Sequence, residues 1–135
     1  MPKEDFLTKQ IEKLGQAIAA LIDLRRKGKP TESLQIAQTT VNELFDGKFE
    51  QVRDANINDF AQMVEHQHFN RQQIDALAQI MEETGIVYED LEKPHEAHGF
   101  FEKSLFFYKK LNEIDKTFSF EREAIIADLQ YKINL

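Results

Sequence analysis

The stretch MEETGIVYEDLEKPHEAHGFFEKSLFFYKK, residues 81–110, decides how the chain folds. Its pivot is Pro94, which has no N–H and a fixed φ, and so suits the first turn of a helix and disrupts the interior of one. Upstream, Ile74, Leu77, Ile80, Met81 and Tyr88 recur at helical spacing, predicting a helix that opens after Asn70 as N-cap and ends near Leu91. Downstream, a second helix runs from Pro94 to about Ile114. So short a join makes the two an antiparallel hairpin, and Ala97 is small where the helices crowd each other beside the turn. On the second helix, Ala97, Phe101, Ser104, Leu105 and Tyr108 form one stripe. Phe100, Phe107, Leu111 and Ile114 form a second, and together the stripes cover about 180°. A face that wide predicts a helix packed between its hairpin partner and a following helix. Phe106 falls in the remaining polar arc among Glu102, Lys109, Lys110 and Glu113, which makes it the candidate protein-contact residue.

The turn phrase EKPHEAHGFF, residues 92–101, has an echo in GKPTESLQIA, residues 28–37. Both read Lys-Pro-x-Glu-small. The echo lacks the histidines, so what repeats is the chemistry of a hairpin turn and helix start. Leu7, Ile11, Leu14, Ile18, Leu21 and Ile22 predict a helix from about Glu4 to Lys27, stopped by Gly28. Pro30 and Glu32 then open a helix to about Phe45. Between the hairpins, Asp46-Gly47, Asp54, Asn56 and Asn58 break the pattern, leaving a connector with one short helix near Phe60, Met63 and Val64. Ser119 caps a last helix carrying Ile125, Ile126, Leu129 and Ile133. The expectation is a single all-α domain over residues 1–135, with five long helices and one short one.

The second hairpin resembles a tetratricopeptide repeat, a two-helix unit of about 34 residues. With the repeat laid over residues 78–111, Gly85 takes the small position of the first helix and Tyr88 the aromatic position after it. Ala97, Phe101 and Ser104 take the small, aromatic and last small positions of the second helix. Met81, Thr84 and Lys109 depart from the tryptophan, leucine and closing proline common in that family. In the first hairpin Gly28 and Ser33 match while Leu21 occupies a small position, and residues 44–77 do not register as a repeat. The resemblance implies tetratricopeptide-like hairpins at both ends, about 4–45 and 70–114, with an irregular middle and a C-terminal capping helix. It also implies binding of a protein or peptide, but fewer than three repeats leave no long curved groove. The layout is similar to a family of short bacterial all-helical proteins known only as a domain of unknown function.

Composition narrows the chemistry. The 135-residue chain is 41% hydrophobic and 30% charged with a net charge of −7, which opposes general affinity for nucleic-acid backbones. The basic run Arg25, Arg26, Lys27 and Lys29 complements the negative end of a helix dipole. Cysteine is absent, which removes disulfides and thiolate ligands. Glu4 and Asp5 stand where a signal peptide carries basic residues, and the apolar run Ala17–Ile22 is too short for a membrane span, so a cytoplasmic protein without membrane partners is expected.

His66, His68, His95 and His98 are the possible metal ligands, but their spacing is unspecific and no Glu-x-x-His pair recurs on two helices as a di-iron bundle requires. His98 is followed by Gly99, Phe100, Phe101 and Glu102, which does not fit a phosphotransfer histidine. Ser33, Ser104 and Ser119 have boundary or packing roles, and the five glycines are scattered singly. A non-enzymatic protein-interaction or scaffold module without a cofactor is therefore expected, with self-association through Gly99–Phe120 as one mode. The alternative is a metal-binding or catalytic helical bundle using the four histidines.

Overall fold

The structure is a computed structural model that describes residues 3–135, with side chains from Asp5 onward. Among the described residues it is all-α, with seven helices and no strand. In order they are α1 (Lys3–Arg26), α2 (Pro30–Leu44), α3 (Phe49–Asp54), α4 (Ile57–Gln67), α5 (Arg71–Asp90), α6 (Pro94–Asp115) and α7 (Phe120–Ile133).

The echoed phrases form the same device twice. At the end of α1, Lys29 N–H donates to Leu24 C=O at 2.9 Å and Gly28 N–H to Arg25 C=O at 3.0 Å. At the end of α5, Lys93 N–H donates to Tyr88 C=O at 2.9 Å and Glu92 N–H to Glu89 C=O at 2.9 Å. Each is a Schellman closure that satisfies orphan carbonyls, with proline opening the next helix two residues after the left-handed residue. In the first the left-handed residue is Gly28, φ 74°; in the second it is Glu92, φ 59°, where a side chain is strained. Other helix starts use side chains. Asn70 and Gln73 form a reciprocal capping box on α5, and the Ser119 hydroxyl accepts from Arg122 N–H on α7.

The α5–α6 hairpin is the centre of the molecule. Gly85 lets the helices approach, since a Cβ there would stand 2.5 Å from Phe101 Cε1. The Ser104 hydroxyl donates to Ala78 C=O across the same seam at 2.7 Å, and Ala97 is buried beside it. Tyr88 stacks on Phe100 at 5.4 Å, and Phe49 of α3 also stacks with Phe100, at 6.0 Å. In the first hairpin Ser33 repeats the serine device, donating to Leu21 C=O at 2.9 Å. Gln73 bonds Gln10 near the N-terminal ends of α5 and α1, and Arg25 pairs with Glu83 further along, so these helices lie side by side in the same sense. α7 packs on α6 through Ile126 and Leu129.

Residues 46–69 correct the expected connector. They hold two helices, and Phe49, Val52, Phe60 and Val64 are buried in the same core as both hairpins. Asn56 is an N-cap whose side chain accepts from Asp59 N–H, so what reads as a break is the start of α4, and Asn58 is an exposed first-turn residue of it. α3 and α4 lie against α6, which changes the surroundings of Phe106. The ring is half-buried, edge-on to Phe60 at 5.7 Å and to Phe107 at 5.6 Å, with Lys110 Nζ 5.5 Å from its centroid. The polar arc assigned to that side of α6 is therefore partly covered by α4. Lys103, on the same helix, is only 3% exposed; its ammonium faces the carbonyls of Gly99 and Arg53 at 3.4 and 3.5 Å, the latter at the C-terminal end of α3. At the other extreme Ile114, counted with the apolar stripe, is 45% exposed.

Candidate binding groove

α1, α5 and α7 line one concave side of the hairpin stack. Residues Asp75, Gln79, Glu82 and Glu83 form a single stripe along α5, because offsets of three and four share a helix face. Ile18 and Ile22, one turn apart on α1, make one wall. Arg122 and Ile125 of α7 make the other, and Tyr108 of α6 reaches up from beneath. The enclosed space is about 350 Å³.

Its charges divide into committed and uncommitted groups. Glu83 is held by Arg25 at 3.0 Å. Arg122 is turned away toward Asp115 at 2.8 Å, and Arg71 grips the same carboxylate at 2.6 Å. Glu82 has no cation within 4.0 Å among the described residues; the nearby Lys132 pairs with Asp128 at 3.6 Å. Tyr108 is 4% exposed, and its hydroxyl has one partner, Glu82 Oε1 at 3.5 Å, the outer limit of a hydrogen bond. Burial, and then repulsion from Glu83, raises the Glu82 carboxyl above its ordinary range. Burial, and then the Glu82 charge, pushes the Tyr108 phenol up as well. The arrangement is a mainly polar trough with isoleucines on two sides, holding a partly desolvated carboxylate that has no ion-pair partner of its own beside a weakly satisfied phenol.

The histidines do not come together. His95 and His98 line a depression with Arg53, Asp54, Glu102 and Lys103. His98 Nδ1 stands 2.9 Å from Glu102 Oε1 and its Nε2 stands 2.8 Å from Ile133 C=O, tying α6 to the end of α7. His66 lies elsewhere, with Phe45, Lys48 and Asp59. His68 lies with Phe69, Phe106 and Lys110 in a third place, as the left-handed C-cap of α4. Among the described residues no three His, Asp or Glu side chains converge as metal ligands would.

Sequence reading did not find the groove. Ile18 and Ile22 read as core, and Tyr108 as part of the α6 packing stripe. The available signal was the polar stripe Asp75, Gln79, Glu82 and Glu83 on a helix otherwise rich in buried positions. None of the described helices is long and apolar enough to cross a membrane.

No curated protein and no solved structure matches the chain. Residues 1–133 match the family described as a family of unknown function (DUF6483), and to that family the chain belongs.

Proposed function

We propose that the protein is a non-enzymatic interaction module that binds a segment of another protein in the groove between α1, α5 and α7. In this reading the hairpins are tetratricopeptide-like: the first helix of each, α1 and α5, faces the binding side, and α7 stands in the place of a third. One observation carries it, the concave lining drawn from three helices distant in sequence, with isoleucines on both walls and polar groups along the floor. The groove is short, which suits a few side chains of a bound segment better than a long extended peptide. Gly85, Tyr88, Ala97, Phe101 and Ser104 act in this reading as the packing set that fixes α5 against α6, and so the depth of the floor.

Site-specific photo-crosslinking tests it. A photoreactive residue at Gln79, inside the groove, should capture a discrete partner in the host cell, identified by mass spectrometry. The same residue at exposed Gln51 on α3 should not. Equal capture from both positions, or capture that survives Ile18→Glu and Ile125→Glu, would count against the groove as the contact surface.

A further inference from the structure

Resting on that groove reading, we infer that the occupant presents a lysine side chain whose ammonium seats between the Glu82 carboxylate and the Tyr108 hydroxyl. Two observations meet at this point. Glu82 is half-buried with no cation within 4.0 Å among the described residues, and a desolvated carboxylate without a partner is costly. Tyr108 is buried, yet its hydroxyl is left with one contact at 3.5 Å. The two oxygens are thus far enough apart for one nitrogen to stand about 2.8 Å from both, forming charge-assisted hydrogen bonds stronger than the contact they replace.

The walls select the rest of the ligand. Ile18 and Ile22 on one side and Ile125 on the other offer apolar surface to a tetramethylene stem, as lysine stems use when the head is held in a polar site. Of the remaining acids, Asp75 stands 4.0 Å from Arg71, and Glu121 has no ion-pair partner among the described residues, which leaves the lining net negative and favours a cationic segment. The cations nearest Glu82 are engaged elsewhere, Arg25 by Glu83, Arg122 by Asp115 and Lys132 by Asp128 at 3.6 Å, so none of them makes an ion pair with Glu82 from within. An arginine would meet the same charge, but its planar fork is best satisfied by two acceptors of one carboxylate. Pairing of that kind would take up both Glu82 oxygens and leave the Tyr108 hydroxyl with its single 3.5 Å contact, whereas one ammonium serves the carboxylate and the phenol together.

The test uses the full chain with isoleucine methyls labelled for NMR and three blocked pentapeptides. Each has leucines flanking a central residue, which is lysine, Nε-acetyl-lysine or glutamate. The lysine peptide should shift the Ile18, Ile22 and Ile125 methyls saturably, and the acetylated peptide should bind at least about tenfold more weakly, the size expected for losing a charge-assisted bond. Glu82→Gln, which removes a desolvated charge and should fold at least as well as the parent by thermal melt, should weaken the lysine peptide by a similar factor. Tyr108→Phe should weaken it less. Equal binding of all three peptides, or indifference to Glu82→Gln, overturns the ammonium inference and leaves the groove reading standing. Shifts for the lysine peptide confined to residues outside the groove also overturn the inference. If no peptide moves any of the three methyls, the groove reading falls with it.

Discussion

Substituting Gly85 with alanine sets two calculable effects against each other. In an exposed helix the change would stabilise by about 1 kcal/mol, because glycine loses more backbone freedom on folding than alanine. Here the new Cβ would lie 2.5, 2.7 and 3.1 Å from Cε1, Cδ1 and Cζ of Phe101. Ordinary contact begins near 3.4 Å, so the ring or the helix must move by roughly 1 Å. Phe101 is 2% exposed and carries Lys132 Nζ 4.8 Å from its centroid, so it has no open space to enter. Overpacking of this kind costs about 2–3 kcal/mol in a well-filled core, which leaves a net loss of about 1–2 kcal/mol. For a domain of this size that lowers the melting temperature by about 3–8 °C. Urea unfolding followed by circular dichroism at 222 nm measures the loss directly. Adding Phe101→Leu to Gly85→Ala should cost less than the two single changes summed, by about 1 kcal/mol or more. A neutral or stabilising Gly85→Ala would refute the claim that this contact fixes the spacing of α5 and α6.

Three further outcomes rest on the same packing. Glu92→Gly should stabilise by about 0.5–1 kcal/mol, since it relieves a left-handed side chain at a turn whose twin already uses Gly28; a loss in urea unfolding would contradict the strain. Phe106→Ala should cost about 1.5–3 kcal/mol because its ring packs on Phe60 and Phe107. A cost under about 0.5 kcal/mol, as for a surface substitution, would mean that α4 does not cover it. Asp115 is held well below the usual carboxylate range by Arg71 first and Arg122 second. Its folded-state value is the lower one, so its stabilisation is present above the ordinary carboxylate value near pH 3.9 and disappears as pH falls below it. Asp115→Asn should therefore flatten the acid limb of a stability-versus-pH curve below about pH 4, and an unchanged limb would show that the double arginine clamp does not form in solution.

The hairpins were legible because their signals are local. Pro30, Pro94, Asn70 and Ser119 act within a turn of themselves, and the structure starts helices at each. The middle was misread for a different reason. Asn56 serves equally as a breaker and as an N-cap, and what decides between them is burial of Phe60 and Val64 against helices at the far end of the chain. The same missing neighbour explains the surroundings of Phe106. A helical wheel shows which side of α6 is polar, not that another helix will lie on it. The groove was illegible on similar grounds, since Ile18 and Glu82 meet only when α1 docks beside α5, and nothing in either segment announces the other.

The parallel docking of α1 along α5 also orders the steps by which the chain acquires its structure. The α5–α6 hairpin joins segments adjacent in sequence, so its closure entropy is small and its collapse is the natural nucleus. The Arg25–Glu83 contact instead closes a loop spanning 58 residues, and Gln10–Gln73 one spanning 63. On loop-closure grounds these contacts are expected to form after the rate-limiting barrier. Substitutions on the α1 wall should accordingly speed unfolding while leaving the folding rate nearly unchanged, whereas those in the α5–α6 seam should slow folding. The first hairpin is then the part that detaches first and most often, and a surface built from both hairpins exists only while it is seated.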